Sequence, residues 1–208
     1  EEAARAVNAL GPERLAAACA ASGARFAHVS TDYVFPGDAT EPYREDDAPG
    51  PRSAYGRTKL EGEERVRAAC PGALVVRTSW VFGPGRNFVG AILRQAGLRR
   101  RGEATGPLRV VDDQRGCPTY AADLASGIRQ LVAAGARGVV HLCNRGDVTW
   151  WDFARAILDE TGHGDLEIER ARTADLGLPA PRPAYSVLDV SRAASLGVAL
   201  RPWREGLV

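Results

Sequence analysis

The sequence contains no methionine. Its first ten residues, EEAARAVNAL, already have the character of an alanine-rich helix body. Together, the missing start residue and the helical opening predict that these 208 residues are a piece of a longer protein.

Cysteine is scarce and scattered. The sequence has four cysteines, Cys19, Cys70, Cys117 and Cys143. They form no CxxC pair, and no histidine stands at a metal-ligand spacing from them, so neither a zinc site nor a disulfide framework is predicted. We expect reduced thiols and, because no signal peptide is recognisable, a cytoplasmic protein.

Long apolar runs are absent, and so is an excess of charge of either sign. The chain is 45% hydrophobic and 25% charged, with a net charge of +1. No apolar run approaches the length of a membrane span, and the balanced charge gives no general attraction to nucleic acid. We interpret the basic run Arg99 to Arg101 as a solvated helix end. The composition predicts a globular chain that binds neither membrane nor nucleic acid.

Lysine is nearly absent, since Lys59 is the only lysine among 27 basic residues. Tyr55 lies four residues earlier, and residues at i and i+4 share one face of a helix. A free tyrosine has a pKa of about 10, which a nearby ammonium lowers. The pair predicts a proton donor to a carbonyl that receives a hydride, with the lysine also donating to ribose hydroxyls. The alternative for an isolated YxxxK is a solvated helix face.

Strand-like and helical segments alternate up to residue 144, which predicts an α/β fold with a right-handed parallel sheet. We expect a smaller α+β lobe after residue 144. The predicted helices are 2–22, kinked or split at Gly11-Pro12, and 54–69, 87–100, 120–134 and 149–161. The predicted strands are 25–30, 73–79, 108–113 and 138–144.

Ligand-binding groups are expected at the carboxyl ends of such strands. Thr31 and Asp32 follow strand 25–30, and the long loop 36–51 after them indicates a functional segment. We interpret its acidic run, Glu45 to Asp47, as a solvated turn rather than a metal site, because no other ligand type recurs nearby.

Three further features are interpreted as structural. His28 and His141 alternate with apolar neighbours and are expected in the core. The segment GPGRNF (83–88) imitates a dinucleotide-binding GxGxxG motif. However, Pro84 removes an amide and Phe88 replaces the third glycine. We therefore do not assign it to a cofactor.

Six motifs carry a family resemblance: STDYVFPG (30–37), PYREDD (42–47), YGRTK (55–59), RTSWVFGPGRNF (77–88), VVDDQRGCPT (110–119) and RPAYSVLDVS (182–191). In this order the sequence resembles the dTDP-4-dehydrorhamnose reductases, a branch of the extended short-chain dehydrogenase/reductase family. YxxxK is shared across that superfamily, whereas STDYVF, RTSW and DQxGxPT are specific to this branch. The resemblance runs almost from end to end.

The resemblance implies reduction of the 4-keto group of dTDP-4-dehydro-L-rhamnose to dTDP-L-rhamnose. NADPH would be the hydride donor, with NADH as the alternative. By motif, Thr31 orients the substrate carbonyl, Tyr55 donates the proton, and Lys59 binds ribose and lowers the pKa of Tyr55. The residues implied for the cofactor are Ser30, Tyr55 and Lys59. Those implied for the nucleotide sugar are Asp32, Tyr33, Trp80, Asn87, Gln114, Pro118, Thr119 and Arg182. For Trp80, packing is the alternative.

The sequence departs from the family at its start, where the glycine-rich turn that holds the dinucleotide pyrophosphate is not found. The resemblance therefore implies a Rossmann-like doubly wound sheet whose first βαβ part is missing, and an inactive fragment. We assign 1–82 and 117–144 to a partial NAD(P)-binding domain. We assign 83–116 and 145–208 to a nucleotide-sugar lobe. Some relatives are described as metal-linked dimers, which implies Mg²⁺ and a homodimer, but no metal ligand is assigned here.

Two other functions stay open at this point. One is a non-catalytic binding subunit, similar to the regulatory partners of methionine adenosyltransferase that share this fold. The other is a ketoreductase for a different nucleotide deoxysugar. The presence of Thr31, Tyr55 and Lys59 together favours an enzyme, because a binding module needs no proton donor aligned with an ammonium.

Overall fold

The computed structural model describes residues 1–177 and 180–207. The α-helices are Glu2–Arg5 (α1), Gly11–Ser22 (α2), Ala54–Ala69 (α3), Phe88–Arg100 (α4), Ala121–Ala133 (α5), Trp150–Glu160 (α6) and Ser191–Ser195 (α7). The strands are Ala27–Thr31 (β1), Leu74–Thr78 (β2), Val81–Phe82 (β3), Leu108–Val111 (β4), Arg115–Gly116 (β5), Thr119–Tyr120 (β6), Gly138–His141 (β7), Val148–Thr149 (β8) and Ile168–Ala171 (β9). No helix in these ranges combines the length and apolar character needed to cross a membrane.

A three-stranded parallel sheet with the order β1-β2-β7 organises the larger part of the chain. Thr31, the last residue of β1, lies opposite Thr78, the last residue of β2. Because parallel strands end at the same edge, this register brings the segments after all three strands together. The predicted α/β class and the position of Thr31 at a carboxyl end are confirmed.

Helices cover both faces of this sheet, because successive side chains of β2 point in opposite directions. Val75 packs with Ala16 of α2 and Val66 of α3 on one face. Leu74 and Val76 face the other way, into a cluster that contains Leu124 and Leu131 of α5, Val140 and Leu142, and residues 193–200. The five residues of β2 are all buried, as expected for a central parallel strand.

The first 22 residues form one helical stretch that is interrupted where the sequence predicts. A π-helical turn, Ala6–Leu10, precedes Gly11-Pro12. Proline lacks an amide hydrogen and so removes one helical hydrogen bond, which accounts for the altered turn. Gly23 ends the stretch in the left-handed conformation at φ 71°.

The smaller lobe is built from short paired strands and two helices. β4 pairs with β9 in parallel, and β5 pairs with β8 in antiparallel fashion. Helices α4 and α6 pack on them around Phe153 and Ile157, which are fully buried. The predicted strand 108–113 therefore exists but belongs to the lobe and not to the main sheet. The division of the chain at residues 82, 116 and 144 stays a prediction.

The acidic turn in loop 36–51 needs a correction. Asp46 is exposed as predicted, but the Glu45 side chain is only 5% exposed. Its Oε1 accepts a hydrogen bond from the His141 amide at 2.9 Å. β7 is an edge strand of the described sheet, so this amide needs an acceptor from outside the sheet, and Glu45 supplies it.

The two core histidines are confirmed. His28 is 7% exposed and His141 is fully buried. Burial lowers the pKa of His28 to about 4 and that of His141 to about 3, so both rings are neutral near pH 7. Nδ1 of His141 lies 3.1 Å from the carbonyl oxygen of Tyr43.

A buried ion pair joins helix α3 to strand β2. Arg77 donates from Nε to Glu63 at 3.0 Å and from Nη2 to Glu63 at 2.7 Å, and both side chains are at most 5% exposed. The guanidinium also lies over the Phe35 ring, 5.0 Å from its centroid. Glu63 is one turn after Lys59, so this pair fixes the helix that carries the predicted catalytic residues.

We predict that Glu63→Gln lowers the free energy of unfolding by about 3 to 5 kcal/mol, because it leaves the Arg77 charge buried and unpaired. Urea unfolding followed by circular dichroism measures this loss. The matched control is Glu103→Gln, which breaks the exposed pair with Arg101 and should leave the urea midpoint unchanged. Equal effects of the two substitutions would contradict the role assigned to the buried pair.

Candidate active site

The end of β1 and the first turns of α3 bring the predicted catalytic residues together. Ser53 caps the helix by accepting the Gly56 amide at 3.0 Å, and this fixes where the helix begins. The Lys59 ammonium reaches back to β1 and donates to the Val29 carbonyl at 2.5 Å. Tyr55 is 47% exposed and so is open to a ligand.

Gly56 explains how the helix comes so near to the loop after β1. A Cβ atom at this position would lie 2.2 Å from the carbonyl oxygen of Tyr33, so any other residue would push the helix away. The rings of Tyr33 and Tyr55 meet edge to face, with centroids 5.9 Å apart. The glycine of the YGRTK motif therefore sets the position of the tyrosine beside it.

Thr31 lies at the centre of a small hydroxyl network. Its Oγ1 donates to Oδ1 of Asp32 at 2.9 Å and accepts the Tyr33 amide at 3.3 Å. The same hydroxyl is close enough to the Tyr55 phenol to act on its pKa through a hydrogen bond. Thr31 and Asp32 are 6% and 2% exposed, so the network is shielded from water.

The electrostatics of Tyr55 differ from the prediction. Burial raises the pKa of Tyr55, Asp32 adds to the rise, and only the Thr31 hydroxyl opposes it. In the part of the chain that the structure describes, Lys59 is not among the groups that shift this pKa. The ammonium is bound to Val29, and burial lowers its own pKa while Glu63 opposes that change. Lowering of the Tyr55 pKa by Lys59 is therefore not found in this structure.

Asp32 has the most unusual environment of the site. Burial raises the pKa of this carboxyl from 3.8 to about 6, against the opposing effect of the Ser186 and Thr31 hydroxyls. Burial and the neighbouring Asp32 charge also raise the pKa of Tyr33 to about 12, while Arg182 opposes this rise. The charge of the exposed Arg182 thus reaches Tyr33, and its contact with the nucleotide sugar stays a prediction.

Three residues that are predicted to bind the substrate make hydrogen bonds within the protein. Asn87 caps α4 by accepting the Gly90 amide at 3.2 Å, and its amide hydrogens go to the carbonyls of Gly83 and Gly85. Gln114 is 3% exposed and donates to Thr173 at 2.8 Å. Thr119 is fully buried and its hydroxyl donates to the Cys117 carbonyl at 3.3 Å. These hydrogen bonds position the loop around the buried Pro118, and the substrate contacts of these four residues stay predictions.

The Trp80 ring packs against Trp150 and stays partly exposed. It stacks on Trp150 with centroids 3.5 Å apart, and a Cβ atom on Gly116 would lie 2.5 Å from its ring. Its backbone is left-handed, at φ 46°, which is uncommon for a bulky residue. The structure therefore favours the packing interpretation, with one part of the ring accessible to a ligand.

Sequence reasoning missed two supporting residues. Ser186 is 1% exposed and its hydroxyl acts on Asp32, but nothing in the local sequence distinguishes it from other serines. Glu63, in contrast, stands four residues after Lys59 and continues the stripe that begins at Tyr55. This spacing was available as a signal, since it places all three side chains on one helix face.

Comparisons with known proteins agree with this geometry. A family model described as the RmlD substrate binding domain matches residues 1–208. The chain belongs to the RmlD substrate-binding domain family. A dTDP-4-dehydrorhamnose reductase of Mycobacterium tuberculosis (strain CDC 1551 / Oshkosh) is 46% identical over 215 residues, which cover 100% of this chain and 69% of that protein.

Two solved structures of dTDP-4-dehydrorhamnose reductases share the fold. The one from Clostridium acetobutylicum ATCC 824 has a TM-score of 0.89 at 40% identity. The one from Bacillus anthracis str. Ames, in complex with NADP, has a TM-score of 0.87 at 34% identity. Each match covers 96% of this chain and 69% of the other. The family resemblance predicted from the motifs is confirmed, and so is the α/β class.

The residues of this RmlD family member suit one end of a nicotinamide dinucleotide. Ser30 Oγ is buried without a hydrogen-bond partner, and Lys59 keeps two ammonium hydrogens beyond the one bound to Val29. These groups fit ribose hydroxyls beside the exposed Tyr55. The GPGRNF segment follows β3, outside the three-stranded sheet, which agrees with not assigning it to the cofactor.

No metal site emerges in the RmlD-family chain as described. Within residues 1–177 and 180–207, no group of three or more His, Cys, Asp or Glu side chains could hold a metal ion. The implied Mg²⁺ is therefore without ligands in these ranges.

We predict that Asp32→Asn changes stability in a pH-dependent way. Because the folded pKa is raised, the wild type is progressively destabilised as pH rises from about 3.8 to about 6, by about 3 kcal/mol in all. The stability difference between Asp32→Asn and wild type should therefore grow in favour of the variant by this amount. Urea unfolding at pH 3.5 and pH 7.5 measures the difference.

The control for this prediction is Asp189→Asn, which should show the opposite sign. Hydrogen bonds from Ser191 lower the pKa of Asp189, so its charge stabilises the folded state once the pH exceeds the unfolded value. If Asp32→Asn also loses stability relative to wild type as pH rises, the raised pKa of Asp32 is wrong.

Proposed function

We propose that the protein that carries this chain reduces the 4-keto group of dTDP-4-dehydro-L-rhamnose to dTDP-L-rhamnose, with NADPH as hydride donor. The observation that carries the proposal is the convergence of Thr31, Tyr55 and Lys59 at the carboxyl end of β1. Support comes from the family, whose relatives include reductases of this name and one solved with NADP. A binding subunit needs no such convergence of hydroxyl, phenol and ammonium.

In this proposal Tyr55 is the general acid. When bound, NADPH supplies a hydride to C4 of the sugar. The Tyr55 O–H bond breaks as its proton forms a new bond to the carbonyl oxygen, which leaves a phenolate on the enzyme and a hydroxyl on the sugar. A free tyrosine has a pKa of about 10 and burial raises that of Tyr55, so the phenol carries its proton at neutral pH.

Lys59 and Thr31 support this proton transfer. Lys59 is tethered to Val29 by one hydrogen and has two left for ribose hydroxyls. Thr31 is placed to hold the carbonyl oxygen beside Tyr55. Both residues act mainly on the geometry and charge of the transition state.

The nucleotide sugar is proposed to lie against Asp32, Tyr33, the accessible part of Trp80, and Arg182. An arginine fork suits a diphosphate, and aromatic faces suit a base. The segment that follows Arg182 is tied to loop 36–51, since the Tyr185 amide donates to the Gly37 carbonyl and the Tyr43 amide donates to the Val187 carbonyl. A homodimer, a cytoplasmic location and the preference for NADPH over NADH stay predictions.

The test is a cofactor-oxidation assay on the protein that contains this chain. NADPH absorbance is followed with dTDP-4-dehydro-L-rhamnose, and dTDP-L-rhamnose is identified by mass spectrometry and NMR. A nucleotide sugar without a keto group serves as control. If the protein reduces another keto sugar but not this one, the proposed substrate is wrong.

We predict that Tyr55→Phe lowers kcat by about 10²- to 10⁴-fold, because the lost phenol acts in the transition state. Affinity for the nucleotide sugar should stay nearly unchanged. Steady-state kinetics and dTDP-sugar titration separate the two effects. A kcat within about threefold of wild type would remove Tyr55 from the role of acid.

We predict that Lys59→Arg also loses activity, although the substitution keeps the positive charge. The ammonium fits between β1 and α3 with its nitrogen 2.5 Å from the Val29 carbonyl, and the broader guanidinium does not fit the same contact. Cofactor affinity should fall, and the pH profile of kcat/KM should shift. Arg57→Lys is the matched control, because Arg57 pairs with Glu1 on the exposed side of the same helix. Unchanged affinity and an unchanged profile in Lys59→Arg would make Lys59 a surface residue.

A further inference from the structure

The hydroxyl of Thr31 has a single hydrogen, and Asp32 holds it. Thr31 Oγ1 donates to Asp32 Oδ1 at 2.9 Å and accepts the Tyr33 amide at 3.3 Å. A hydroxyl donates one hydrogen bond only. In this arrangement Thr31 can accept from its neighbours but has nothing to donate to a carbonyl oxygen.

The proposed reaction needs the opposite arrangement. A ketone oxygen that gains negative charge is stabilised by donors, and the Thr31 hydroxyl lies beside the donor Tyr55. An ionised carboxylate only accepts hydrogen bonds and therefore competes with the substrate for the Thr31 hydrogen. A protonated carboxyl has a hydrogen of its own and can donate it to Thr31, so the Thr31 hydrogen stays available for the substrate.

Asp32 is in surroundings that allow both forms. It is 2% exposed, and the hydroxyls of Thr31 and Ser186 are the side-chain groups that favour its charged form. The ionisable groups that face it are Tyr33, Tyr55 and Cys143, all neutral acids near pH 7. Within the described ranges no basic side chain is among the groups that shift its pKa. The positive charge of Arg182 acts on Tyr33 instead.

We propose that Asp32 is a positioning residue that sets the direction of the Thr31 hydrogen bond. Protonated Asp32 leaves the Thr31 hydrogen for the substrate carbonyl, and ionised Asp32 withdraws it. This inference rests on the proposed function and adds to the sugar contact assigned to Asp32 above. For this the proton must be on Oδ1, which then donates to Thr31 Oγ1 and leaves the Thr31 hydrogen free.

The direction of the pH effect follows. Because burial raises the pKa of Asp32 to about 6, the carboxyl changes its state close to neutral pH. Below that value Thr31 is free to donate, and above it the carboxylate takes the hydrogen. The rate constant kcat/KM should therefore fall as pH rises through the pKa of Asp32 in the free enzyme.

A titration that needs no catalysis tests the hydrogen bond itself. The carboxyl carbon of Asp32 is followed by NMR in wild type, Thr31→Ser and Thr31→Val after labelling of aspartate with ¹³C, and Asp32→Asn assigns the signal. Thr31→Val removes a donor to the charged form, so the pKa of Asp32 should rise by about 1. Thr31→Ser should keep the wild-type value. Equal pKa values in all three proteins would overturn the proposal.

The pH profile of keto-sugar reduction tests the consequence. The limb of kcat/KM above about pH 6, where wild type should lose about tenfold per pH unit, should be absent in Asp32→Asn whatever the absolute rate of the variant. Asp38→Asn, which removes an exposed carboxylate paired with Arg52, should keep that limb. Persistence of the limb in Asp32→Asn would overturn the proposal. If wild type reduces no keto sugar, the proposed function fails and the NMR comparison alone decides the direction of the Thr31 bond.

Discussion

The buried ion pair between Glu63 and Arg77 is the constraint on which the site depends. Two charged groups inside a protein are costly unless each finds its partner in good geometry, so helix α3 and strand β2 have little freedom to slide. Arg77 also contacts the Phe35 ring and donates to the Glu45 carbonyl at 3.4 Å. The Glu45 side chain in turn holds the edge of β7. One pair thus links the catalytic helix, the central strand and the long loop.

Two glycines allow α3 to approach as closely as this pair requires. At Gly62 a Cβ atom would lie 2.1 Å from the Asn8 carbonyl oxygen, and at Gly56 it would lie 2.2 Å from that of Tyr33. The first contact is made by the π-helical turn, and Asn8 adds a hydrogen bond to Thr58 at 3.1 Å. The helix is therefore fixed on three sides, and Tyr55 and Lys59 take their positions from it.

Much of this arrangement could be predicted from the sequence. The features that could not be predicted have a common cause. Helix 54–69 is found at Ala54–Ala69, because its cap and its periodicity are local properties. The pairing of strand 108–113 with Ile168–Ala171 could not be predicted, because this partner lies far along the chain. Glu45 was expected in water, although an unpaired amide of β7 draws it inward. Local patterns predict elements, but the partner of a polar side chain depends on the fold.

The same dependence explains the positions of two family motifs. The Trp80 carbonyl accepts the Thr119 amide at 3.2 Å, and the Trp80 ring lies on Gly116. The motifs RTSW and DQxGxPT therefore bind each other. A left-handed tryptophan costs about 1 to 3 kcal/mol, and stacking on Trp150 offsets about 0.5 to 1.5 kcal/mol of that cost. Motifs specific to one branch can thus mark a strained junction that holds the lobe against the sheet.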